Sequence, residues 1–217
     1  MTATPLLDPA SAALVIIGTL LAAVMRCGWQ DTRAALVALR QLFTRRFDAT
    51  SVKAELAIQI QEIEADGLIR AEPHHFGDGE FDEMTDALIR TRSMRALHES
   101  HAEHRARRMD AARRAATFLN NSAELAPVLG LAGTLISLAG LSTAVAEQGD
   151  YARAIGMAVA TTLYGLVAAN FVFAPLAAIA ARRAEAEDRA REEIIDWLSA
   201  AIEASCRRQA DAVRNAA

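Results

Sequence analysis

The sequence predicts an all-α integral membrane protein with three transmembrane helices and long cytoplasmic helical extensions. Two uncharged runs carry most of this reading: no charge stands between Glu124 and Glu147, and none between Arg153 and Arg182. Each run exceeds the ~20 apolar residues, rising ~1.5 Å apiece, that cross a ~30 Å hydrocarbon layer. The placement of arginines adds a third observation. They crowd the segment after the first apolar run and both inner ends of the later hairpin, and only Arg153 stands at its turn. The excess of basic residues on cytoplasmic flanks then puts the N-terminus outside and the C-terminus inside.

Residues 1–8 are read as a short periplasmic N-terminus and residues 9–26 as the first span. Pro9–Met25 is apolar but at the short end for a crossing, and Leu6 and Leu7 extend it. A signal peptide is the competing reading; it fails because no basic stretch precedes the apolar run. Arg26, Arg33, Arg40, Arg45 and Arg46 follow.

Residues 27–120 are read as a cytoplasmic helical domain. Asp31–Phe43 is amphipathic, with Leu36, Leu39 and Phe43 on one face flanked by Arg33 and Arg40. Such a helix suits the inner membrane surface or packing within the domain. Val52–Ile69 predicts a second helix, with Leu56, Ile60 and Ile63 on one face and Gly67 marking its end. Pro73–Gly79 is a loop. From Phe81 to Arg114 the pattern is helical and polar. Glu80, Asp82, Glu83 and Asp86 come first, then Arg90, Arg92, Arg95 and a run of further arginines. This reads either as a solvated face of charge pairs or as a stalk offering Arg90, Arg92 and Arg95 to a partner. Asn120, Asn121 and Ser122 are expected to loosen its junction with the next span.

The hairpin comprises a second span (121–147), a periplasmic turn (148–152) and a third span (153–181), before a cytoplasmic tail (182–217). In the first hairpin helix Ala126, Gly130, Gly133, Ser137, Gly140 and Ala144 recur at steps of three and four; in the second, Ala158, Thr162, Gly165 and Ala169 do the same. Lipid supplies little hydrophobic drive between helices, so close contact of small residues must hold them. Pro127 and Pro175 each free a carbonyl one turn back. Thr134, Ser137, Thr161, Thr162, Tyr164 and Asn170 are the polar residues at depth. Their side chains either bond back to their own helices or line an ion path. In the tail, Ile194, Ile195, Leu198 and Ile202 give an apolar face expected to pack on the stalk.

The strings PVLGLAGTLISL and ATTLYGLVAANFVFAPLA resemble the last two transmembrane helices of the MotA/TolQ/ExbB proton channel family. TLYG, AN and the later proline are more similar to its flagellar stator branch, MotA, than to TolQ or ExbB. LLDPASAALVIIGTLLAAV followed by DTRAALVALRQLF resembles that branch's second helix and the segment after it, and ADGLIRAE its cytoplasmic loop. Scattered similarity runs from Leu7 to about Leu198. The branch carries one more helix ahead of these. This chain is then either a three-span variant or begins downstream of that helix. In the loop, Glu64 stands where the branch carries a basic residue, and Glu72 takes the matching acidic place.

The resemblance implies a bacterial inner-membrane ion-channel subunit, stator-like, that couples proton or sodium flux to mechanical work. It implies a one-span MotB/ExbD/TolR-like partner whose helix carries an aspartate, and a homo-oligomer, a pentamer around two partner helices. Thr134, Thr162, Pro127 and Pro175 match the family's pore-side positions. An energiser of outer-membrane transport or integrity, like TolQ or ExbB, is the alternative within the family. A non-conducting membrane scaffold presenting the Arg90–Arg114 stalk is the alternative outside it.

The residues themselves exclude other classes. No phosphate-binding glycine loop and no nucleophile-base arrangement is present, so neither an enzyme nor a cofactor is expected. His98, His101 and His104, with Glu99 and Glu103, share helical spacing but lack cysteine, and no metal is expected there or at His74 and His75. The net charge of -4 argues against nucleic acid. Cys27 and Cys206 are expected on the reducing side, without a disulfide. The spans hold no acid, so a titratable group at depth must come from another chain.

Overall fold

The computed structural model describes residues 9–43, 47–66, 78–139 and 148–216, and among these no strand occurs. The helices are α1 (Pro9–Cys27), α2 (Trp29–Phe43), α3 (Ala49–Asp66), α4 (Gly79–Thr91), α5 (Met94–Ala139), α6 (Gln148–Val167) and α7 (Ala174–Ala216), with a π-helical turn at Ala168–Phe173. They form two compact units, one of Met1–Thr44 and Ala111–Arg182, the other of Arg45–Asp110 and Arg183–Ala217.

In the first unit, α1 packs along α6. Its buried positions, Ser11, Val15, Thr19 and Ala23, fall every fourth residue and are mostly small. The Thr19 hydroxyl donates to the Val15 carbonyl at 2.6 Å. Gly28, at φ +84°, makes the turn into α2 that a side chain would resist. Polar contacts tie this elbow to α5: Arg26 to Glu124 at 3.3 Å, Arg114 to Asp31 at 3.6 Å, and the Asn121 amide to the Cys27 sulfur at 3.2 Å. On α2 the buried face is Thr32 and Ala35, while Leu36 is exposed and Leu39 half-buried. The packed face is thus the small-residue one and Leu36 stays uncovered, because α2 meets a core rich in alanine, with Ala23, Ala35 and Ala115 beside Phe118 and Leu119.

Two helices are long and apolar enough to cross a membrane, Met94–Ala139 and Tyr151–Ser205; Ser11–Cys27 is apolar but shorter. Their apolar stretches are largely uncovered, with Leu135 63%, Ile136 62% and Val159 58% exposed. A core helix of a soluble protein would bury such residues, whereas in hydrocarbon they need no cover.

Asn120–Ser122 do not interrupt α5, which runs unbroken from Met94 to Ala139. Asn121 and Ser122 return their side chains to the Thr117 and Phe118 carbonyls, each at 2.9 Å, and so support the helix they were expected to loosen. At the other end of the hairpin, α6 begins at Gln148. Residues 148–152, expected in the turn, are therefore helical, and the rest of the connector, with Gly140 and Ala144, lies outside the described residues.

The second unit is a helical core of Val52, Leu56 and Ile60 from α3, Phe81, Met84 and Leu88 from α4, Leu97 from α5, and Ile194, Ile195, Leu198 and Ile202 from α7. The tail's apolar face thus packs with the stalk. The polar run expected as one helix breaks at Arg92, in the left-handed conformation at φ 54°, whose N–H bonds the Leu88 carbonyl at 2.7 Å. Nothing in the composition around Arg92 announces this cap, which glycine usually fills.

Candidate ion-pathway site

The seam between α5 and α6 is where the small residues meet. A Cβ placed on Gly165 would lie 2.5 Å from the Ala126 carbonyl oxygen and 3.2 Å from Gly130 Cα. A Cβ on Gly130 would lie 2.8 Å from the Thr161 carbonyl, and one on Gly133 would lie 3.0 Å from the Thr161 side chain. The two backbones therefore approach at a distance that only glycine allows.

Just past this contact three hydroxyl-bearing residues gather. Thr134 Oγ1 lies 2.6 Å from Thr162 Oγ1 and 3.4 Å from Thr161 Oγ1. It also reaches the Ala158 carbonyl on α6 at 3.0 Å and the Gly130 carbonyl on its own helix at 3.1 Å. One hydroxyl has a single proton to donate, so these contacts are alternatives. Rotation of Thr134 can point its proton along α5, across to α6, or into Thr162. Thr161 is buried and donates to Ala158 O at 2.9 Å. Ser137 stands apart and donates only to Gly133 O at 2.9 Å, the ordinary satisfaction of a serine in a helix. Beside the cluster runs an open apolar groove of about 520 Å³; Thr134 and Thr162 line it together with Leu138, Val159, Leu163 and Leu166.

Both prolines sit toward the end of the seam where Ala126 meets Gly165, away from the hydroxyls. Pro127 lies inside α5 next to Ala126, one turn before Gly130. Pro175 follows the π-turn, which closes with the Ala174 N–H bonded to the Ala169 carbonyl. A widened turn is one way a helix absorbs the donor that Pro175 lacks. Asn170 covers the Leu166 carbonyl at 2.9 Å.

The residues expected to meet a partner are in the second unit. Arg90 lies in the last turn of α4, Arg92 is its cap and Arg95 lies in the first turn of α5; all three are exposed, and Arg95 pairs with Glu99 at 2.7 Å. Glu72 lies outside the described residues. The histidines do not converge. His98 lies 3.5 Å from Ser199, His104 is 3.0 Å from Glu83, and His101 is buried. Among the described residues no cluster could hold a metal ion.

The arrangement missed from the sequence is a partly buried ion network centred on Arg191 and Asp188. Arg191 forks onto Asp78 at 2.8 and 3.2 Å and also meets Glu80 and Glu187. Arg108 pairs with Glu80 and Asp188, and Arg105 with Asp188 and Glu192. The Arg191 guanidinium also covers the Phe47 ring at 4.2 Å. Burial opposes the Asp78 charge, but hydrogen bonding and attraction from Arg191 outweigh it and hold the carboxyl below its ordinary value. The signal was the spacing. Asp188 and Arg191 continue the stripe of Ile195, Leu198 and Ile202 at steps of three and four, and so must point inward with it.

The MotA/TolQ/ExbB proton channel family's profile matches residues 74–193, more than half of the chain. This chain belongs to that family. Among curated relatives, Motility protein A of Treponema phagedenis is 32% identical over 108 residues, 50% of this chain and 40% of that protein. Chemotaxis protein PomA of Vibrio alginolyticus is 32% identical over 77 residues, 36% of this chain and 30% of that one. The matched stretch is thus less than half the length of either. The fold is shared with a chain of the flagellar MotAB stator complex from Bacillus subtilis, at TM-score 0.75 and 21% identity, covering 92% of this chain and 80% of that one. The C. jejuni MotAB structure matches at TM-score 0.75 and 18% identity, over 92% and 78%. The family profile ends at residue 193, so it spans the glycine seam, the threonine cluster and α4 with its arginines.

Proposed function

We propose that this chain is a stator-like channel subunit of a bacterial inner membrane, which couples proton or sodium flux to mechanical work together with a one-span partner. The threonine cluster carries the reading. Thr134, Thr161 and Thr162 supply hydroxyls that can relay a proton or join the shell of a sodium ion, yet none can hold a charge near neutral pH. A partner helix laid in the adjoining groove would bring the missing carboxylate to them. Several copies, five in this reading, would surround the partner. Three crossings, with the N-terminus outside, place Arg90, Arg92, Arg95 and Glu72 in the cytoplasm, where the driven machine would be met. The motility proteins among the relatives favour a flagellar machine over an outer-membrane energiser.

Reconstitution in liposomes with a pH-sensitive dye tests this. The chain alone should leave the vesicles tight. With its partner, flux should appear and depend on the partner's aspartate. Thr162→Val keeps the shape and removes the hydroxyl; it should lower flux about tenfold, the worth of one ~1.4 kcal/mol hydrogen bond at the barrier, with the complex still assembled. Flux from the chain alone, or undiminished flux in Thr162→Val, would overturn the assignment.

A further inference from the structure

His101 has a peculiar position in the second unit. It is 7% exposed, and neither ring nitrogen has a hydrogen-bond partner. A neutral imidazole always carries one N–H, so a buried donor is left unmade, which costs stability. On its own helix the surrounding charges are Arg105 and Arg108; on α7 they are Asp188 and Glu192. Each of these four is already engaged in the ion network. On α4 the facing groups follow from register. Glu80 meets Arg108 and Glu83 meets His104, so α4 and α5 run antiparallel. One more step of three residues on each helix brings Asp86 level with His101. Asp86 Oδ1 is itself buried without a partner.

We propose that His101 is an acid-operated latch: its neutral ring lets α4 seat on α5 and α7, and protonation loosens α4. Burial, then the charges of Arg108 and Arg105, hold the imidazole below its ordinary value, against the weaker pull of Glu192 and Asp188. The opened chain therefore takes up a proton more readily than the closed one. Closure is at full strength above the ordinary imidazole value of ~6.5 and weakens as pH falls from there toward the lowered value. The network carboxylate Asp78 is lost in a separate window, below ~3.9, because its folded value is also depressed. Among the described residues, Asp86 is the facing carboxylate with a buried oxygen uncommitted. It favours the imidazolium, so it sets how low the pH must go.

Hydrogen exchange of α4 amides in the full chain, corrected for intrinsic rates, tests the latch between about pH 7.5 and 5.5, which brackets the ordinary imidazole value. In the wild type, α4 should exchange several-fold faster at the acid end, by up to about tenfold for each tenfold change in proton affinity. His101→Gln and His101→Met, neutral throughout, should each abolish the pH step. Asp86→Asn should move its midpoint to lower pH. An α4 that exchanges alike at both ends, tighter protection in acid, or the same step in both His101 variants would overturn the latch. None of these outcomes depends on ion flux, so the test stands apart from the channel reading.

Discussion

Gly165→Ala adds a single methyl at the tightest point of the hairpin. That methyl would sit 2.5 Å from the Ala126 carbonyl oxygen, where real contacts keep at least 3.0 Å. The obstruction is backbone, so no rotamer change relieves it, and the helices must part by about half an ångström or more. A gap of 0.5–1 Å forfeits about a quarter to a half of each dispersion contact along the seam. Overpacking of this kind costs ~1–3 kcal/mol, and the upper end applies where the neighbour cannot yield. Alanine gains ~1 kcal/mol over glycine in helix propensity, which leaves a net loss of about 2 kcal/mol. For a chain of this length that is a fall of about 4–8 °C in Tm. Gly18→Ala is the control. Its methyl meets only the Leu129 side chain, Cδ1 at 3.3 Å and Cγ at 3.7 Å, which can yield where a backbone cannot. The two variants would be melted as full chains in mild detergent, followed by the fluorescence of Trp29 in the same unit. If Gly165→Ala melts at or above Gly18→Ala, the close approach of α5 and α6 is not what holds the hairpin.

Two further outcomes are expected. Arg191→Met should cost about 3–5 kcal/mol by chemical denaturation, because it strips the partner from Asp78 within a largely buried network; a loss under 1 kcal/mol would show that water already screens these charges. With Cys27 and Cys206 replaced, a cysteine at Gln148 should react with an impermeant thiol reagent added outside intact cells, and one at Ser93 should not. Equal labelling would remove the proposed orientation.

The membrane-facing half was the more legible in the sequence because its rules are local. An uncharged run of the needed length, and small residues every three or four positions, report on one helix at a time. They led to Gly130, Gly133 and Gly165 directly. The pairing of Thr134 with Thr162 needed the register between two helices, which no spacing within either one supplies. The second unit was harder for the opposite reason. Its arginines and acids obey the same periodicity whether they face water or a partner, so Arg191 looked like any charge in a solvated run. Only its continuity with Ile195 and Leu198 separated it. The break at Arg92 left no trace at all, since arginine is not a residue that seeks positive φ.

The π-turn has a consequence for how the last helix is numbered against its surroundings. Up to it, inward positions fall at Ala154, Ala158, Thr161, Gly165 and Ala168, with Ala160 buried beside them. An uninterrupted α-helix would next turn Val172, Pro175 and Ile179 inward. The positions buried instead are Ala169, Phe173, Ala177 and Ala180, while Val172 and Ile179 stay uncovered. The wide turn holds one residue more than an α-turn, and every later side chain is read out one place further along. It works as a frameshift in three dimensions. Tightening this turn to an ordinary α-turn with every residue kept would bring Val172 and Ile179 inward in place of Phe173 and Ala180, whereas removing one residue between Ala168 and Phe173 would restore ordinary helix and leave Phe173 and Ala180 facing inward.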